Sequence, residues 1–152
     1  MENVESHSKI FWHKKQKVTC QYYRLTKADD KLELAVLCID SNKFSKSLNC
    51  SYYAIFHSTR ALLALERRDF KKHSAVIAYF INNYIQKGIF PAQLGKIIKS
   101  SETDRNKSDY HDFYVVSKEE AIMQLDKAKF FVNKITEYLE SIIGTKLVIP
   151  YQ

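Results

Sequence analysis

FSKSLNCSYYAIFHSTRALLALER, residues 44–67, carries the strongest structural signal in this chain. Its apolar residues recur at steps of three and four, the spacing that places side chains on one face of an α-helix. They fill more than one face, which is typical of a helix at the centre of a bundle. We therefore predict a central helix over residues 44–67. Its apolar positions are Leu48, Tyr52, Ile55, Phe56, Leu62, Leu63 and Leu65.

Helical spacing continues on both sides of this central helix. Residues 25–39 carry apolar side chains at three- and four-residue steps, and residues 74–87 do so after a short polar joint at 69–73. Gly88 follows the third predicted helix, and glycine readily adopts the left-handed conformation that ends helices. Pro91 is suited to the first turn of a fourth helix.

The last predicted helix has a clear start and a clear end. Ser117 and Glu120 have the spacing of a capping box, in which each side chain accepts a hydrogen bond from the other residue's backbone amide. Gly144 ends the apolar pattern that follows. The chain is therefore predicted to be all-α, an up-and-down bundle of four to five helices with short joints.

Length and composition agree with one helical domain. The chain has 152 residues and is 45% hydrophobic, but its 3 glycines and 2 prolines are too few for the many turns of an all-β fold. We predict a basic N-terminal arm or irregular helix (residues 1–24), a helical bundle (25–146) and an apolar C-terminal tail (147–152).

The sequence carries neither a recognisable secretory signal nor a membrane span. The N-terminal segment has no apolar core, and no apolar run approaches the roughly 20 residues that cross a bilayer. Cys20, Cys38 and Cys50 are odd in number and lack the spacing of a zinc site or a disulfide framework. We expect a soluble, cytoplasmic protein with no membrane partner, metal or cofactor.

The net charge of +7 is concentrated in two segments. Residues 1–28 hold six lysines and arginines against two glutamates, and residues 60–73 hold five against two acidic residues. Such clusters attract a polyanion such as RNA, because the phosphates that they neutralise release counterions. The same charge also suits a solvated surface that keeps the protein soluble. Charge alone does not choose between these two interpretations.

Residues 99–116 lack an apolar pattern and have nearly balanced charges, which is typical of a solvated helix end. The same stretch contains the groups needed to cleave RNA without a metal. His111 could transfer a proton, Arg105 could bind the phosphate charge, and Asn106 could donate a neutral hydrogen bond beside it. No cluster of histidine, cysteine and carboxylate residues indicates a divalent metal.

Helix geometry restricts how Arg105 and His111 could act together. On an unbroken helix a separation of six residues corresponds to a rotation of about 600°, which leaves the two side chains roughly 120° apart. Either the helix bends or ends near Ser108 and Asp109, or each residue meets its counterpart in a second subunit. We predict the second arrangement, a homodimer with a composite cleft.

Four segments, taken in order, resemble the HEPN domain superfamily, in particular its small stand-alone bacterial and archaeal proteins. The likeness covers about residues 25–143 and excludes residues 1–24. The segments are SYYAIFHSTRALLALE (51–66), HSAVIAYFINNYIQKGIFP (73–91), LGKIIKSSETDRNKSDYHDFY (94–114) and SKEEAIMQLDKAKFFVNKI (117–135).

This resemblance implies a dimeric helical bundle, often a toxin encoded beside a minimal nucleotidyltransferase antitoxin. In ribonuclease members an arginine and an adjacent polar residue precede a histidine, which implies Arg105 and His111 as the catalytic pair and Asn106 as their polar helper. Asp109 and Tyr110 would be supporting residues. Some toxins of this type are neutralised when the antitoxin adenylylates a nearby tyrosine, and here Tyr110 and Tyr114 are the candidates.

Two other functions remain open from the sequence. One is a non-catalytic HEPN module that binds a nucleotide or a nucleotidyltransferase partner. The other is a helical protein-interaction subunit without a role in nucleic-acid chemistry.

The remaining histidines have structural interpretations. His57 lies among aromatic residues of the central helix, where we expect a core or interface histidine with satisfied nitrogens rather than a catalytic one. His73 is expected at the start of the third helix, with phosphate contact as the alternative.

Overall fold

A computed structural model describes the backbone of residues 3–144 and the side chains of residues 20–144. The predicted tail at 147–152 lies outside the described residues. The regular elements of the described part are all helical, which confirms the all-α prediction and the number of helices. The five α-helices are α1 (Asn3–Asp40), α2 (Phe44–Leu63), α3 (His73–Phe80), α4 (Ala92–Tyr110) and α5 (Lys118–Ile143).

Helix α2 is the centre of the bundle, as its sequence predicts. It packs against α1, α3, α4 and α5. Its residues contribute fully buried side chains to one large core, which α3, α4 and α5 complete. Burial on several sides explains why its apolar residues are not confined to one face. The fully buried apolar residues of α2 are Tyr52, Ala54, Ile55, Ala61, Leu62 and Leu63.

Helix ends follow the local sequence signals. Ser117 accepts a hydrogen bond from the Glu120 amide at 3.1 Å, and the Glu120 carboxylate accepts one from the Ser117 amide at 2.8 Å. This reciprocal pair is the predicted capping box. Gly144 ends α5 with φ +76°, a left-handed conformation that costs glycine little.

The third predicted helix has a change of pitch. A π-helical stretch, Ile81–Ile85, continues α3, and the Gln86 amide donates to the Ile81 carbonyl at 2.9 Å. The joint before α3 begins with a 3₁₀ turn at Ala64–Glu66. These changes leave the predicted order of helices intact.

Three boundaries differ from the sequence prediction. Helix α2 ends at Leu63 rather than at residue 67, and the 3₁₀ turn follows it. Helix α1 is continuous from Asn3, whereas apolar spacing marked a helix only from residue 25. Helix α4 runs to Tyr110 and therefore includes most of the polar stretch 99–116. Apolar periodicity could reveal neither extension, because both segments are polar. The division of the chain at residues 24 and 146 stays a prediction.

Two further properties concern the described residues only. No helix within residues 3–144 is long and apolar enough to cross a bilayer. Cys20, Cys38 and Cys50 are all free thiols.

We expect Glu120→Ala to destabilise the fold more than Glu119→Ala. Both carboxylates lie in the first turn of α5 and interact with the helix dipole, but only Glu120 completes the capping box. The loss should be about 1 kcal/mol for Glu120→Ala and about 0.5 kcal/mol or less for Glu119→Ala. Urea denaturation of the two variants measures the difference, and equal losses would contradict the assigned role of the box.

Candidate functional site

Arg105 is held on the central helix rather than directed into solvent. Its Nη1 donates to the Tyr53 hydroxyl at 3.3 Å, and its Cζ lies 4.9 Å from the centroid of the Tyr52 ring. Only 16% of the side chain is exposed. A cation over an aromatic face is attracted by the ring quadrupole, and partial desolvation strengthens that attraction. The guanidinium is therefore fixed in position by α2.

Asn106 and Asp109 complete the surroundings of Arg105. The Asn106 Oδ1 accepts a hydrogen bond from Arg105 Nη2 at 3.2 Å, and the Asp109 Oδ2 lies 3.9 Å from Nη1. Asp109 also accepts a weak hydrogen bond from Asn49 of α2 at 3.5 Å. The Arg105 Nε is buried without a hydrogen-bond partner. The predicted polar helper and one predicted supporting residue thus lie beside the arginine.

His111 lies apart from this cluster at the end of α4. It is the residue that leaves the helix, with φ −110° and ψ 106°, and it is exposed. Within the described residues no hydrogen bond, ion pair or ring contact joins His111 to Arg105. Because α4 is helical through Tyr110, the helix ends too late to bring both side chains onto one face. A single chain therefore does not assemble the predicted pair.

Exposed apolar residues lie on both sides of His111 in the sequence. Tyr110 is 76% exposed, Phe113 98% and Val115 84%. Large apolar residues that cluster on a surface commonly mark an interaction site. We call Tyr110, Phe113 and Val115 the apolar strip.

The two candidate tyrosines of this region differ in their environment. The Tyr110 side chain is largely exposed, whereas Tyr114 is partly buried and its hydroxyl donates to Glu120 Oε1 at 3.1 Å. Burial and the Glu120 carboxylate raise the pKa of the Tyr114 phenol. The two hydroxyls are therefore not equally available to a reaction partner.

The structure brings His73 and Arg105 against the same residue, Tyr52, a proximity that the sequence did not reveal. His73 begins α3, as predicted, and its Nδ1 lies 3.0 Å from the Tyr52 hydroxyl. Its ring stacks on Phe56 with centroids 4.0 Å apart. Burial and the Arg105 charge lower the pKa of His73, against the opposing effect of Glu102. Sequence spacing carried no sign of this contact, because it links α2 to the start of a separate helix.

The two basic segments of the sequence also meet in the structure. The Asp69 carboxylate accepts two hydrogen bonds from Arg60, at 3.1 and 2.7 Å, and one from Arg24, at 3.2 Å. Arg24 comes from the first basic segment, and Arg60 from the second. One carboxylate thus holds both segments together between α1 and α2.

His57 lies within the field of this basic surface. It is half-buried, with its ring next to those of Tyr53 and Phe56. Burial, which has the largest effect, and the charges of four nearby cations together lower its pKa to about 4. The cations are Lys27, Arg60, Lys31 and Arg24. Among residues 20–144 there is no group of three metal-binding side chains.

The shifted pKa of His57 predicts a loss of stability in mild acid. The folded state binds the proton less readily than the unfolded chain, so the contribution of neutral His57 is complete above about pH 6.5 and falls as the pH approaches about 4. We expect His57→Gln to flatten this part of the profile. Urea denaturation between pH 4 and 7.5 tests the expectation, and parallel profiles for the two proteins would contradict it.

This chain is similar to known proteins over most of its length. A protein of Methanocaldococcus jannaschii named "Putative toxin MJ0605" is 32% identical over 116 residues, which are 76% of this chain and 86% of that protein. A second protein of that organism, named "Putative toxin MJ0142", is 30% identical over 117 residues, 77% of this chain and 80% of that protein. A UPF0332 protein of Thermotoga maritima is 28% identical over 130 residues, 86% of this chain and 97% of that protein.

The family match spans the structural features described above. Its extent, residues 22–139, includes the central helix, the Arg105 cluster, His111 and most of α5. With this coverage and the relatives found, the chain belongs to the HEPN domain family.

Proposed function

We propose that this protein is a metal-independent endoribonuclease of the HEPN type and the toxin of a two-gene system. The observation that carries the proposal is the fixed guanidinium of Arg105, with Asn106 beside it and an exposed histidine at the end of the same helix. The names of the two archaeal relatives support the toxin assignment.

Arg105 would bind the scissile phosphate and stabilise charge in the transition state. A guanidinium stays charged and offers planar donors that fit phosphate oxygens. Because α2 already fixes its position, little reorganisation would accompany the reaction. Asn106 uses its Oδ1 to position the guanidinium, which leaves its Nδ2 to orient the phosphate. Asp109 would act in support through its contact with Arg105.

His111 would transfer the proton. In RNA cleavage the 2′-hydroxyl oxygen attacks the adjacent phosphorus and a base accepts the hydroxyl proton. The 5′-oxygen leaves and takes up a proton from an acid or from water, so the products are a 2′,3′-cyclic phosphate and a 5′-hydroxyl. An imidazole suits this proton transfer, and His111 is accessible to a substrate.

A homodimer would bring the two groups together. Phe113 and Val115 of the apolar strip follow His111, and their burial in a symmetric interface would place the two copies of α4's end next to each other while Tyr110 stays accessible. His111 of one protomer could then approach Arg105 of its partner. This arrangement supplies the contact that a single chain lacks.

A minimal nucleotidyltransferase is the proposed antitoxin, and Tyr110 the proposed target of its modification. The phenol oxygen would attack the α-phosphate of ATP, with pyrophosphate as the leaving group. Tyr110 is exposed, whereas the Tyr114 hydroxyl is engaged by Glu120. An added nucleotide at Tyr110 would stand next to His111 and block access to it. Both gene products would act in the cytoplasm.

The second candidate function is a non-catalytic HEPN module that binds a nucleotide or the nucleotidyltransferase. Two observations favour it. Most of the Arg105 side chain is buried, and no contact between described residues joins it to His111. A guanidinium held against Tyr52 and Tyr53 also stabilises the fold, which is a role without catalysis. A cleavage assay separates the two functions.

We expect the wild type to cleave RNA in the presence of EDTA, with losses of about 100-fold or more for Arg105→Ala and for His111→Ala. Lys107→Ala and Asp112→Ala serve as matched controls, because both residues are exposed charges close to the two candidates. They should retain nearly full activity. Undiminished cleavage by the His111 variant would show that the activity comes from another site or from a contaminant.

Mixed dimers test the composite cleft. Arg105→Ala and His111→Ala subunits are unfolded and refolded together in equal amounts. About half of the dimers should then be mixed, and each mixed dimer should contain one complete site out of two. About a quarter of the wild-type activity should therefore return. The measurement is the cleavage rate of the mixture against each variant refolded alone. No recovery, with mixed dimers present, would contradict a site shared between subunits.

Tyr110 should be the residue that the antitoxin modifies. With ATP and the nucleotidyltransferase encoded beside it, the wild type and Tyr114→Phe should gain one AMP group by mass spectrometry. Tyr110→Phe should gain none, because the exposed hydroxyl is missing. Modification of Tyr110→Phe together with its absence in Tyr114→Phe would reverse the assignment.

A further inference from the structure

A cavity of about 410 Å³ opens beside His73, whose Nδ1 lies 3.0 Å from the Tyr52 hydroxyl. None of the proposed catalytic residues lines it. Basic and aromatic side chains dominate its wall, and one carboxylate contributes. The lining residues are Phe56, Arg60, Asp69, Phe70, Lys71 and His73.

His73 presents a hydrogen-bond donor at this cavity. Tyr52 is fully buried, and among the described residues His73 Nδ1, at 3.0 Å, is the hydrogen-bond partner of its hydroxyl. We therefore assign the hydroxyl as the donor of this bond, since its proton would otherwise lack an acceptor. Because Nδ1 accepts this bond, the neutral imidazole carries its proton on Nε2, the nitrogen left for a ligand. The pKa of His73 is lowered, so the neutral form is the relevant one at neutral pH. The stacking on Phe56 fixes the plane of the ring.

The net charge at the cavity is positive. Asp69 is the acidic residue of the lining, and both Arg60 and Arg24 neutralise it. These three residues together carry one positive charge, and the exposed Lys71 adds a second. An anion entering the cavity would therefore meet a favourable field together with the donors of His73 and Lys71.

Tyr52 links this cavity directly to the proposed catalytic arginine. The Arg105 Cζ lies 4.9 Å from the centroid of the Tyr52 ring, and the centroid of the His73 ring lies 6.0 Å from the same point. Two anion-binding groups thus lie against one tyrosine. This arrangement suits two phosphates of the same strand better than two independent anions.

We propose that the cavity is an RNA subsite that holds the phosphate neighbouring the scissile one, through His73 Nε2 and Lys71. The proposal rests on the proposed function, since it names how the same substrate is held. Phe70 adds an aromatic face at the rim, against which an unpaired base can stack. A single-stranded segment is the substrate that fits, because its bases are free to leave the stack.

Two adjacent lysines provide a matched test of this subsite. Lys71 lines the cavity, whereas Lys72 does not, and both are exposed. The probe is a fluorescent single-stranded 2′-O-methyl oligoribonucleotide, which cannot be cleaved because its 2′-oxygen is blocked. Anisotropy titrations in EDTA at several salt concentrations measure its affinity.

We expect Lys71→Ala to weaken binding about five- to tenfold and to reduce the slope of log affinity against log salt by about one. Lys72→Ala should weaken binding by about twofold or less, as a general change in the field would. His73→Phe keeps the stacking on Phe56 but removes the donor, so it should resemble Lys71→Ala. If His73→Phe fails to fold, the exposed Lys71 still decides the test.

Equal effects of Lys71→Ala and Lys72→Ala would overturn the subsite, as would a wild type that does not bind the probe. The cleavage assay keeps this outcome separate from the proposed function. Arg105-dependent cleavage with equal lysine effects would leave the nuclease in place without the subsite. A specific Lys71 effect on binding without cleavage by the wild type would establish RNA binding at the cavity and reject the nuclease.

Discussion

The contact between the Arg105 guanidinium and the tyrosines of α2 fixes the polar end of α4 on the bundle. The apolar burial of α4 ends at Ile98, so the second half of the helix depends on polar contacts. Arg105 makes the most extensive of these, over Tyr52 at 4.9 Å and to the Tyr53 hydroxyl at 3.3 Å. Where water is largely excluded, such a cation–π contact contributes about 1–2 kcal/mol. A helix that the sequence marks as solvated is thereby attached to the core.

Tyr52 transmits this constraint to a third helix. Its ring is fully buried, which would be unfavourable for the hydroxyl without a hydrogen-bond partner. His73 supplies that partner from the start of α3. The same tyrosine therefore contacts both a guanidinium and an imidazole. A change in any of these three residues would therefore disturb the contacts of the other two.

Sequence patterns were sufficient for the fold but only partly for the site. Apolar spacing located α2, and local signals such as Ser117 with Glu120 located the ends of α5, because both depend on neighbours within a few residues. The extension of α4 to Tyr110 depends instead on the contacts of Arg105 with Tyr52 and Tyr53, which lie far earlier in the sequence. The approach of His73 to Tyr52 is of the same kind. Such contacts require the packed bundle, and no spacing within the sequence encodes them.

The separation of Arg105 and His111 is itself informative about how the proposed reaction would be organised. A group that stabilises transition-state charge works best when it is rigid before the substrate arrives, and Arg105 meets that condition through α2. A group that exchanges protons with a substrate must instead be accessible, and the exposed His111 at the end of α4 meets this second condition. One helix cannot satisfy both conditions on the same face, since its core-facing side is the rigid one. The twofold axis of the proposed homodimer would resolve this conflict, because it could bring the accessible residue of one protomer to the rigid residue of the other without altering either environment.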